Sequence, residues 1–287
     1  MAQTQGLKRR IRSVKNAGQI TKALEVVAAS RMRRVVGLVA ASRTYGESAA
    51  AIMKRIAHNP EVKDLPFFAP AADKPSLYIV FTSDRGQAGA YNSNVFNLAL
   101  NFFHEDKLPP HVIVYGRKGE RFFARISNIE LRAAFEDLDD VPEVNVFAPA
   151  MKIISQDIIA STVGRVVLIY TEFISPLVQK ATSYQLLPIE WPTEEAKTKD
   201  EVVYELEPDA EDVIDEAIRL YLEAKLMQAR IESVAAEHAM RMVAMGNANR
   251  NASDLVDALT LELNTIRQAA ITQEIAEITG GAAAIAS

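Results

Sequence analysis

The chain has 287 residues, 49% of them apolar but only 7% aromatic, and no cysteine. That mixture favours long helices over a sheet sandwich and excludes disulfides, thiolate metal sites and thiol nucleophiles. The net charge of −5 is segregated: Lys8, Arg9, Arg10, Arg12, Lys15, Lys22, Arg31, Arg33 and Arg34 are opposed only by Glu25, whereas Glu190 to Glu216 is dominated by carboxylates. The two regions therefore suit different partners, or different parts of one assembly.

From Leu7 to about Ala57 there is no proline, and apolar residues recur at helical spacing through Leu7, Ile11, Val14, Leu24, Val27, Met32, Val35 and Leu38. One long helix is predicted, weakened locally at Gly18 and Gly37 and ended by Asn59 and Pro60. Its basic start reads as part of that helix and not as a removable leader. No run of about eighteen uninterrupted apolar residues occurs, so direct membrane insertion is not expected.

Between Pro60 and about Pro192 the pattern changes. Apolar runs at Leu77 to Thr82 and Val166 to Thr171, with a weaker one at His111 to Tyr115, read as strands. Helical patterns lie around Asn92 to His104, Lys118 to Ile126 and Phe147 to Val163. The alternation predicts a small α/β domain with a mainly parallel sheet, to which Ala181 to Ile189 adds an edge strand.

From Asp209 onward proline is again absent. Positions 213, 217, 220, 224 and so on to 269 step by four and three, and all but His238, Arg241 and Glu262 are apolar. That is a coiled-coil seam with a left-handed supercoil, in which the polar exceptions fix register. At 1.5 Å per residue the rod is roughly 110 Å long, too long for this chain to cover. Leu255, Leu259, Leu263, Ile266 and Ile271 are left as an apolar stripe that needs a partner. The expected fold class is therefore an α/β insertion plus a long antiparallel α-helical coiled coil formed by the N- and C-terminal helices. The domains are 1–59, a helix; 60–208, a Rossmann-like α/β part with an acidic linker; and 209–287, a longer helix.

Few residues invite chemistry. Ser83, Asp84, Arg85 and Gly86 follow a strand end, where α/β folds place binding sites, but a charged turn with glycines for backbone geometry is the better reading. No phosphate-loop or dinucleotide glycine motif occurs, and His58, His104, His111 and His238 lack metal-ligand spacing. No catalytic residue, cofactor or metal is expected. The basic N-terminal run lacks the recognition motifs of a nucleic-acid binder. The residues alone leave open an α/β enzyme with a dimerising coiled coil and a coiled-coil nucleic-acid binder.

Three strings narrow the choice. LKRRIRSVKNAGQITKALEVVAASRMRR, Leu7 to Arg34, resembles the N-terminal helix of ATP synthase gamma subunits. TSDRGQAGAYNSN, Thr82 to Asn94, is similar to the α/β motif of that family. EHAMRMVAMGNANRNASDLVDALTLELNTIRQAAITQEIAEITGGAAA, Glu237 to Ala284, carries RQAAITQE and a glycine-alanine run that look like the family signature. The resemblance runs from end to end, with departures at Leu24, Gln87, Ala88, Gly246 and Asn249. It implies a non-catalytic rotor shaft inside a ring of alpha and beta subunits, with a foot that meets the epsilon subunit and the membrane c ring, and no nucleic acid. It also implies that Arg267 and Gln268 contact a beta-subunit loop and that Arg31, Arg33 and Arg34 meet acidic collar loops. Tyr204 and Glu207 are implied to belong to the foot. The implied location is peripheral, on the cytoplasmic face of a bacterial inner membrane.

Overall fold

The computed structural model describes residues 2–56, 62, 65–68, 71, 73–143, 145–189 and 210–286, without the side chains of 2, 3, 210–212 and 280–286. The elements run α1 (Ala2–Ile56), β1 (Ser76–Phe81), α2 (Tyr91–Glu105), β2 (His111–Tyr115), α3 (Arg117–Phe123), β3 (Glu130–Phe135), α4 (Ala148–Ile159), β4 (Arg165–Ser175), β5 (Val178–Leu187) and α5 (Ala210–Ala286). Long N- and C-terminal helices with an α/β part between them are what the spacing of apolar residues predicts. The sequence divides into two compact units, one of residues 1–27 with 242–287 and one of residues 28–241, and both long helices contribute to each.

In the larger unit the five strands are ordered β3-β2-β1-β4-β5. β1 pairs in parallel with β2 and β4, β2 with β3, and β4 runs antiparallel to β5. Every residue of β1 is buried, as a parallel strand covered on both faces must be. Alternate residues supply two cores. Leu77, Ile79, Phe81, Ile113, Val166 and Leu168 meet Ile154 and Ile158 of α4 and Ile218, Leu222 and Leu226 of α5. Tyr78, Val80, Val112, Val114, Val167 and Ile169 meet Val95 and Ala99 of α2 and Phe123 of α3.

Two local expectations need correction. α4 stops at Ile159, four residues early, because Ser161 takes a left-handed φ of 52° and the Thr162 hydroxyl donates to the Asp157 carbonyl at 2.9 Å. The edge strand β3 was not anticipated, because ELRAAF is built from helix-favouring residues. Its place comes from parallel pairing with β2, and its exposed and half-buried positions alternate.

α5 also departs from a simple seam in this unit. Residues 229–236 are all buried, because one side of the helix faces the sheet and another faces α1. A period read against a single partner describes only half of that burial.

In the smaller unit α1 and α5 pack antiparallel. A Cβ built on Gly18 would lie 3.3 Å from that of Ala252, so the missing side chain lets the backbones approach. A Cβ on Gly246, one of the departures from the family pattern, would lie 3.5 Å from the Glu25 carboxyl carbon. Antiparallel helices advance by equal rises, so Ala2 reaches about the level of Gln268. Leu259 is accordingly buried, and Leu263 and Ile266 are half-buried, which removes them from the predicted open stripe. Leu255 and Ile271 of that stripe stay exposed as predicted, and Leu261, Ile275 and Ile278 are exposed beside them.

Candidate functional site: a filled crevice and two exposed patches

In a sheet ordered 3-2-1-4-5 the winding reverses between β1 and β4, and the crevice beyond their carboxyl ends is where open α/β sheets bind ligands. Here the chain fills that crevice itself. β1 ends its pairing with β4 at Val80 opposite Ile169, while β4 continues to Ser175. The Thr171 N–H donates to Ser233 Oγ at 3.4 Å and the Phe173 N–H to Glu232 Oε2 at 3.2 Å. Arg43 of α1 donates to both Glu232 oxygens, at 2.7 and 3.0 Å, and to the Phe173 carbonyl at 2.8 Å. Gln228 adds a bond to Glu232 Oε1 at 3.0 Å. Tyr91 is buried in the same region, and that burial pushes its hydroxyl pKa up.

The turn after β1 is constructed by its own residues. Ser83 N–H donates to Asn92 Oδ1 at 3.0 Å, and its hydroxyl donates to the Arg85 carbonyl at 2.7 Å. Asp84 Oδ1 accepts the Arg117 N–H at 3.0 Å, which satisfies an orphan donor at the start of α3. Thr82 Oγ1 donates to the Tyr115 carbonyl at 2.9 Å and accepts from Gly119 N–H at 3.0 Å. Gly116 is required beside it. Its φ is 109°, and a Cβ would fall 2.6 Å from Thr82 Oγ1. These bonds engage Asp84 and Ser83 structurally, in keeping with the charged-turn reading.

An open cleft of about 630 Å³ lies next to this turn, with Arg31, Arg34, Arg85, Arg230, Arg241 and His238 in its lining. Its wall at residues 138–140 is pinned from several sides. Arg230 donates to the carbonyls of Leu138 and Asp139 at 2.6 and 2.9 Å. Asp140 Oδ2 lies 3.2 Å from His238 Nε2 and 3.6 Å from Arg31. Arg241 meets His238 Nδ1 at 3.1 Å. Because a guanidinium can only donate, Nδ1 accepts and the ring proton sits on Nε2, towards Asp140. His238 is the largest influence holding the Asp140 carboxyl below its ordinary range, with Arg31 and Arg230 adding to it and burial opposing. Thus His238 and Arg241, predicted to set helix register, face the α/β part, His238 at Asp140 and Arg241 donating to the Gly86 carbonyl at 3.3 Å.

Of the residues singled out in the sequence, Arg31, Arg33 and Arg34 are exposed on α1 in the larger unit, and Arg31 and Arg34 share the cleft. Arg33 turns back to the Ala29 carbonyl at 3.3 Å. Arg267 and Gln268 are exposed on α5 in the smaller unit. Tyr204 and Glu207, with the acidic linker, lie outside the described residues. Sequence reasoning missed Arg43, Gln228, Glu232 and Ser233. The available signal was the polar pair Glu232 and Ser233 inside the otherwise apolar run from Ile231 to Ala236.

Among the described residues no helix is long and apolar enough to cross a membrane, and no group of three or more His, Asp or Glu could hold a metal ion. Residues 3–285 match the family described as ATP synthase. The ATP synthase gamma chains of Pelotomaculum thermopropionicum and Moorella thermoacetica are each 37% identical over 285 residues, covering 99% of this chain and all of theirs. A chain from the cryo-EM structure of the central stalk and c-ring of the Tetrahymena thermophila mitochondrial ATP synthase is 25% identical. It superposes with a TM-score of 0.63 over 80% of this chain and 99% of its own.

Proposed function

The chain belongs to the ATP synthase gamma-chain family, and we propose that it is the central rotor shaft of an F-type ATP synthase. In this reading it couples ion-driven rotation of the membrane c ring to the conformational cycling of catalytic beta subunits, during ATP synthesis or hydrolysis. The chain itself performs no chemistry. Its uneven surface contacts three similar partners unequally, and those differences in contact free energy bias each beta subunit towards a different state.

The observation that carries this reading is the stripe of Ile271, Ile275 and Ile278, left in water on a 77-residue helix beyond the reach of α1. A ring of alpha and beta subunits is the partner that would cover it. Residues 1–59 and 209–287 would supply the shaft, and residues 60–208 the foot on the epsilon subunit and c ring. Arg267 and Gln268 would touch a beta-subunit loop, Arg31, Arg33 and Arg34 the acidic collar loops, and Tyr204 and Glu207 the foot's partners. The assembly would sit peripherally on the cytoplasmic face of a bacterial inner membrane. The test is purification of the native complex through a tag on this chain, with identification of its subunits. Alpha and beta should be recovered with it, and chain demonstrably free of both should hydrolyse no ATP. Turnover by the free chain would overturn the reading.

A further inference from the structure

The filled crevice has a mechanical meaning. β4 overruns β1, so past Ile169 the edge of β4 on the β1 side has no strand beside it, while β5 pairs with the other edge. Buried backbone groups there need other partners. The partners come from both helices at once: Ser233 and Glu232 of α5 take the N–H groups of Thr171 and Phe173, and Arg43 of α1 takes the Phe173 carbonyl while gripping Glu232 with two bonds. Apolar packing between a sheet and a helix resists separation but permits sliding, because it has no direction. Hydrogen bonds fix direction, and the bidentate charged pair fixes it most firmly. Glu232 is almost wholly buried, so water cannot replace Arg43 if the two are pulled apart.

We propose that Arg43 and Glu232, with Ser233, form the torsional clamp through which the α/β part grips the two long helices, so that turning one turns the other. They are positioning residues for coupling, and the proposal rests on the rotor reading. Apolar packing elsewhere in the unit keeps the fold assembled, while the clamp sets how stiffly the sheet follows the helices.

Two variants test it. Glu232→Gln keeps the shape and a carbonyl oxygen for Phe173 but removes the charge that orients Arg43. Arg43→Met removes the donors. In the isolated full chain the amide of Phe173 should exchange about tenfold faster in both variants, while amides in β1 remain unchanged. In complexes with alpha and beta, the chain's freedom from cysteine lets a bead be attached at a single introduced thiol. Leu177→Cys, at the exposed tip between β4 and β5, reports the sheet, and Arg219→Cys, on the exposed side of α5, reports the helix. The angular spread of a paused bead should widen about twofold at residue 177 and stay constant at residue 219, whereas general loosening widens both. Should Arg43→Met fail to fold, Glu232→Gln decides alone. Unchanged Phe173 exchange, or equal spread at both sites, overturns the clamp. A parental complex that assembles but does not rotate overturns the rotor reading instead, and amide exchange then still judges the clamp's geometry.

Discussion

Replacing Ile271, Ile275 and Ile278 together by serine separates covering by a partner from folding of the chain. The three lie on one face of α5 at steps of four and three and are 48%, 57% and 72% exposed. Removing them leaves no cavity in the isolated chain, so its unfolding free energy by urea titration should stay within about 0.5 kcal/mol of the parent. Fully burying an isoleucine is worth about 1.5–3 kcal/mol. The portion of the three still in water therefore corresponds to about 3–5 kcal/mol when a partner covers it. At about 1.4 kcal/mol per tenfold, affinity should fall by two to more than three orders of magnitude. Titration of the variant into alpha and beta subunits, with assembly followed by gel filtration or regained ATPase, measures this loss. Leu259→Ala is the counter-case: its side chain is 5% exposed, and its truncation should cost the isolated chain about 2–5 kcal/mol. Assembly of the triple serine variant at parental concentrations would refute the argument that this face is the covered one.

Other consequences are local. Gly116→Ala forces a side chain into a left-handed backbone against Thr82 and should cost about 2–5 kcal/mol of stability by urea titration; a cost below 1 kcal/mol would show that the turn relaxes cheaply. The carboxyl of Asp140 is depressed below its unfolded value, so its contribution is present above pH about 4 and is lost as pH falls through the folded value. The stability advantage of the parent over Asp140→Asn should therefore shrink between pH 6 and pH 3, and a constant difference would contradict this linkage. Arg267→Ala with Gln268→Ala removes two exposed side chains, so chain stability should be unchanged while proton pumping per ATP hydrolysed declines in reconstituted complexes. Parental coupling in that double variant would remove both from the proposed contact.

The long helices and the central strands were legible because each obeys one period: three to four residues in α1 and α5, and continuous burial in β1. β2 was found at its observed limits despite its shortness, because HVIVY is dense in β-branched residues. β3 was hidden, since its residues favour helix and only the neighbouring strand makes it extended. The Arg43–Glu232 pair was hidden for a related reason. The residues are 189 positions apart, and nothing local in either helix identifies the other as its counter-ion. The stripe on α5 wrongly included Leu259, Leu263 and Ile266 because the sequence holds no register between the helices. Gly18 against Ala252 supplies it, and moves Leu259 from the open stripe to the interior.

The burial of α5 between sheet and α1 also sets an order of events during synthesis. One face of the sheet, with Leu77, Ile79, Phe81, Val166 and Leu168, is completed by Ile218, Leu222 and Leu226, which leave the ribosome after every strand. Until then the apolar face has α4 but no α5 to close it, and the free edge of β4 has neither Glu232 nor Ser233. Such a nascent chain exposes the surfaces that promote aggregation, and its last contacts span a long loop whose closure is slow. The sheet's apolar face and the β4 edge are therefore completed only when the final quarter of the chain has emerged, and a chain truncated before Glu232 lacks the groups that cap that edge.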